Sequence, residues 1–143
     1  EGYPYDVEQI VLAIVVTTGI ASIFLTKDFT PDYNSGLAHA IFYALTSYPV
    51  IEERHLHGEV VGFGVLFALL VDGQYDEFEK IYTLNKQLGL PTSLAQIELT
   101  EKQWAESINR IPEMSDVKHD PYRVTKEMQT TAIQKLNERE ARE

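Results

Sequence analysis

The feature that most limits the fold of this chain is a run of sixteen residues without a charge, Ile10 to Leu25 (IVLAIVVTTGIASIFL). Polar and apolar residues do not alternate in it, so it reads as a helix hydrophobic on nearly all sides rather than as a strand. Crossing a bilayer takes about 20 such residues with suitable flanks. This run is shorter, is diluted by Thr17, Thr18, Gly19 and Ser22, and has no basic leader or small-residue cleavage site beside it. Signal peptide and membrane anchor are both disfavoured. The expected place for the helix is the middle of an all-helical domain, its small residues admitting close neighbours.

A chain of 143 residues with 44% hydrophobic content is enough for one core and little more, since domains run to roughly 100 to 150 residues. A single all-helical domain over residues 1–143 is therefore expected. The net charge of −10 repels phosphate backbones and anionic headgroups, which argues against nucleic acid and membrane as partners. Without cysteine there is no disulfide frame, no thiolate ligand and no thiol nucleophile. Residues 1–72 hold two basic side chains, Lys27 and Arg54, and nine acidic ones, against ten and thirteen in the remainder. The first half thus reads as the buried half. A chain that opens on Glu1 and runs almost at once into a long apolar helix reads as a fragment of something longer.

The remaining punctuation predicts further helices. Asp6 is placed to cap the first, over Val7 to Leu25; Pro31, Asn34 and Gly36 mark a loop; and Leu37 to Ser47 forms a second, ended by Pro49. Residues 48–56 read as loop. A third helix starts at His57 or Gly58 and stops at Asp72 and Gly73, its Gly58, Gly62 and Gly64 allowing close backbone packing. Tyr75 to Leu88 carries an apolar stripe closed by Gly89. Thr100 and Gln103 resemble a capping box for a helix running to Ile111, and Thr125 caps a last helix whose end, NEREARE, is expected to fray. The fold class is all-α, an irregular bundle of about six helices.

No G-x-S-x-G elbow and no G-x-G-x-x-G turn is present, so neither a serine hydrolase nor a nucleotide-binding loop lies within these residues. The histidines carry more. His39 falls in the first turn of the second helix, and His57, eighteen positions on, opens the third, with His55 two residues before it and His119 in a polar loop. About ten of the intervening residues make a helix some 15 Å long, and the loop extends to about 30 Å, so the chain can return and bring both helix N-termini side by side. One imidazole from each would then face a common point, as a divalent metal needs. Two histidines leave such a site incomplete. Asp32, Glu52, Glu53 and Glu59 are candidates for a third ligand, although Glu59 is equally a first-turn acid favoured by the helix dipole.

The order of four segments adds to this. NSGLAHAIFYAL, HLHGEVVGFGVLFALL, LGLPTSLAQI and DPYRVTKEMQTTAI together resemble the C-terminal helical half of glycerol dehydrogenases, within the iron-containing alcohol dehydrogenase family. The resemblance runs from about Val7 to about Leu136. It implies an NAD(P)-dependent alcohol or polyol dehydrogenase with a separate N-terminal nucleotide-binding domain, a divalent metal (Zn or Fe) in the cleft between domains, homo-oligomeric assembly and a cytoplasmic location. It also implies that His39 and His57 are metal ligands, together with an aspartate that has no counterpart in these residues, and that the fragment alone is inactive. Two positions depart from the family pattern. Phe42 stands where a second histidine is common, putting an apolar ring in the substrate pocket and polyol specificity in doubt, and Val60 stands where lysine is frequent. The alternative reading is a non-catalytic helical interaction module that keeps the fold without the metal; a small membrane-inserting protein is a third.

Overall fold

The computed structural model describes residues 4–25 and 35–142. Its contacts divide the chain into two compact units, Glu1–Asn34 and Ser35–Glu143. Among the described residues all regular structure is helical, as the absence of alternating patterns predicts. Pro31 and Asn34, read as loop punctuation, and Asp32, a candidate ligand, lie outside the described residues.

The first unit contributes one element, α1 (Tyr5–Leu25). It starts two residues before the predicted position because the Pro4 carbonyl accepts from the backbone N–H groups of Val7 and Glu8. Asp6 and Glu8 then fall in its first turn, where negative charge suits the helix dipole. This extension makes the stretch Tyr5–Phe24 long and apolar enough, by length and composition, to cross a membrane. The expected burial of the helix is not observed. Ile14 is 59% exposed, Val15 66% and Phe24 83%; the unit offers no second described element against which they could pack.

The second unit is built around α4 (His57–Val71). Val60, Phe63, Leu66 and Phe67 are fully buried, because α2 (Leu37–Leu45), α5 (Tyr75–Leu88) and α7 (Lys126–Glu140) all pack against this one helix. Phe63 and Phe67 both meet the Trp104 ring edge to face, at 5.8 and 4.8 Å between centroids, and so fix α6 (Glu101–Ile108) to the core. Such pairs add about 0.5–1.5 kcal/mol beyond the area they bury.

Residues 48–56 are not simply loop. Pro49 opens a short helix, α3 (Pro49–Arg54), rather than merely closing α2. At the first helical position the missing N–H of proline costs nothing and its fixed φ already suits a helix. The turn has a role in packing, since it carries Ile51 into the core.

Several predicted stops and starts are present. Gly89 ends α5 at φ 70°, a left-handed conformation that side chains resist. The Thr100 hydroxyl accepts from Gln103 N–H at 3.3 Å while the Gln103 side chain accepts from Thr100 N–H at 2.9 Å. Helix α6 nevertheless stops at Ile108, and 3₁₀ turns at Ile111–Glu113 and Ser115–Val117 follow. The predicted fraying of the last helix is not seen in its final turn. Arg139 donates to both Glu79 oxygens, at 3.1 and 2.9 Å, and lies over the Tyr82 ring.

Candidate functional site

Packing of α4 on α2 sets the geometry of the histidines. A Cβ at Gly64 would lie 2.7 Å from the Ala38 carbonyl oxygen and 3.0 Å from Ala38 Cα, so only glycine lets the two backbones touch there. No such contact is found at Gly58, and at Gly62 the nearest atom is the Asn85 side chain at 4.0 Å. Of the three glycines read as packing devices, Gly64 is therefore the one that α2 requires. Two turns before Gly64 on the same face of α4 is His57, and one turn after Ala38 on α2 is Phe42. These rings meet with centroids 4.3 Å apart at 80°, edge to face. The contacts thus run in opposite senses along the two helices, and α4 begins beside the middle of α2 rather than beside its N-terminus.

His39 and His57 are brought together. Their ring centroids lie 5.7 Å apart with planes inclined at 47°. His39 is half-buried and His57 exposed, and among the described residues neither imidazole has a hydrogen-bond partner. For two imidazoles on one tetrahedral zinc ion, Zn–N bonds of about 2.0–2.1 Å place the ring centroids about 5 Å apart. The observed separation and the imidazole nitrogen donors fit a shared divalent ion. They supply two ligands only: among the described residues no group of three or more His, Asp or Glu side chains converges.

The other candidates are accounted for separately. Glu52 and Glu53 are exposed on α3. The Glu59 carboxylate accepts from Leu56 N–H at 2.9 Å, capping α4 as a first-turn acid should. His55 does not face His39. Its side chain is 10% exposed, with Nδ1 3.9 Å from Glu59 Oε2 and Nε2 3.7 Å from Glu98 Oε1, and Glu98 also accepts from Arg54. His119 is exposed in the loop before α7.

One polar cluster was not legible. Asp72 at the end of α4, Gln74 and Tyr122 share a groove with Asp120, and Gln74 donates to the Asp72 carboxylate. Burial, then the hydrogen bond to Asp72, pushes the Tyr122 phenol up to about 12. Hydrogen bonds from Gln74 and then Tyr122 hold Asp72 below its ordinary value, while burial raises Asp120. Asp72 and Tyr122 are fifty residues apart, and no local pattern signals that they meet.

Comparison with known proteins supplies the context for this arrangement. Glycerol dehydrogenase of Thermotoga maritima is 46% identical over 65 residues, covering 43% of this chain and 17% of its own length. Glycerol dehydrogenase of Pseudomonas putida is 41% identical over 66 residues, covering 45% and 18%. The chain resembles the glycerol dehydrogenases. A longer and weaker match, 28% identity over 123 residues, covers 86% of the chain and 32% of glycerol-1-phosphate dehydrogenase [NAD(P)+] of Nitrosopumilus maritimus. The chain thus spans about a sixth of the length of the glycerol dehydrogenases it matches. No family model matches it, and no solved structure matches it significantly.

Proposed function

We propose that these residues form the metal-binding and substrate-cleft part of an NAD(P)-linked alcohol or polyol dehydrogenase, with His39 and His57 as two ligands of a divalent ion, Zn or Fe. The observation that carries this reading is the pair of imidazoles from α2 and α4, 5.7 Å apart and otherwise without hydrogen bonds among the described residues. Bound there, the ion supplies Lewis acidity to a substrate hydroxyl during hydride transfer. His39 and His57 hold and orient it, and Phe42 forms an apolar wall beside His57 that suits a less polar alcohol than glycerol. NAD(P) and the third ligand come from a nucleotide-binding domain and a helix outside these residues, so the fragment by itself is inactive. The exposed apolar surface of α1 is then the face that the rest of the protein covers. A homo-oligomeric, cytoplasmic enzyme completes this reading.

A non-catalytic interaction module is the alternative, and the same exposed α1 is the observation that favours it. Metal separates the two. Elemental analysis of the full-length protein, wild type beside His39→Ala and His57→Ala, is expected to give stoichiometric Zn or Fe that either substitution removes, together with NAD(P)-linked oxidation of small alcohols. Absence of metal from every sample would leave the interaction module.

A further inference from the structure

We infer that Phe42 is a positioning residue for His57, holding the imidazole plane in the orientation in which it and His39 face one ion; this rests on the proposed metal role of the pair. A histidine χ2 torsion is broad, so its ring plane is set by what surrounds it. Ligand histidines ordinarily have the second ring nitrogen fixed by a carboxylate or carbonyl. His57 has no such partner among the described residues and is exposed at the first position of α4. Its closest ring contact is Phe42, 4.3 Å away and edge to face, a favoured aromatic geometry. Phe42 is itself half-buried and packed against the core, with Tyr43 edge-on to it at 5.4 Å, so its ring is a fixed wall. Removing that wall leaves His57 free to turn. If the competent orientation then becomes a minor one, apparent metal affinity falls in proportion to its population.

The test follows the His39 and His57 ring resonances of the full-length protein by NMR while Zn²⁺ is added, in wild type, Phe42→Leu and Phe42→Tyr, with thermal midpoints measured in parallel. In wild type both rings are expected to shift with one common midpoint. Phe42→Leu is expected to raise that midpoint about tenfold, the scale seen when supporting groups of metal ligands are lost, and to release the ring-current shift on His57 in the metal-free chain. Phe42→Tyr, which keeps the ring, is expected to restore both. Equal midpoints in wild type and Phe42→Leu would overturn the inference while leaving the metal pair intact. Failure of Phe42→Tyr to restore a weakened site would overturn it as well, showing that bulk packing rather than the ring is responsible. No common midpoint in wild type would overturn both the pair and the inference.

Discussion

Helices α1 and α4 are alike in composition and end in opposite surroundings. Each contains a long uncharged stretch with glycine among β-branched and large apolar residues. Helix α4 lies among three neighbours in its unit, with Phe63 and Phe67 fully buried, whereas α1 exposes Ile10, Ile14, Val15 and Phe24. The difference lies in the neighbours that each unit supplies. Helix α4 is flanked by α2, α5 and α7, and each lays an apolar face on it. The unit of α1 contains no other described element. A helix hydrophobic all round requires a cover, but its own sequence does not specify which one.

The largest expected effect sharpens this contrast. Leu66→Ala, at a position with no exposure, is expected to cost about 2–5 kcal/mol through lost burial and a residual cavity. Ile14→Ala in α1 is expected to change the stability of the 143-residue chain by less than about 0.5 kcal/mol. Chemical denaturation of both variants checks the pair. A cost at Ile14 approaching that at Leu66 would break the comparison, because it would mean that α1 is packed in solution.

A smaller effect is expected at the α2–α4 contact. Gly64→Ala gains about 1 kcal/mol of helix propensity, but its Cβ meets the Ala38 backbone, which cannot rotate aside. Overpacking of about 1–3 kcal/mol, at the upper end for a backbone clash, should win. Gly58→Ala, with nothing within 4 Å of the added Cβ, should be neutral or stabilising. Thermal midpoints of the two variants decide whether close packing at Gly64 alone holds the helices.

The smallest effect concerns pH. The Tyr122 phenol is raised from 10.0 to about 12, so its folded form favours the proton more than its unfolded form does. Its contribution is fully present below pH 10 and is lost as pH rises toward 12. Between these values wild type should lose stability more steeply than Tyr122→Phe, measured by denaturation midpoints at stepped alkaline pH. Parallel slopes would show that the burial of Tyr122 and its bond to Asp72 add nothing to this dependence.

Much of the fold was legible because it is local. Gly89, Thr100 with Gln103, and Thr125 act on their own helix ends, and the structure uses each as a stop or cap. Histidines at 39 and 57 could be read together because only eighteen positions separate them. The features that escaped needed tertiary context. Pro49 lies four residues beyond the end of α2 and opens α3, a turn held in place by the burial of Ile51 in the core. The seating of Arg139 on Glu79 and Tyr82 pins a terminus whose composition suggests fraying. Asp72, Asp120 and Tyr122 meet only through the tertiary fold. The exposure of α1 escaped because periodicity reports how apolar a surface is, not what lies against it.

The central claim is that α2 and α4 present two imidazoles to one divalent ion. X-ray absorption at the zinc edge of the zinc-loaded full-length protein tests it most directly. The predicted result is imidazole scattering from two histidines at about 2.0–2.1 Å, reduced to one in His57→Ala and in His39→Ala. A spectrum without imidazole scattering, or one unchanged by both substitutions, would contradict it.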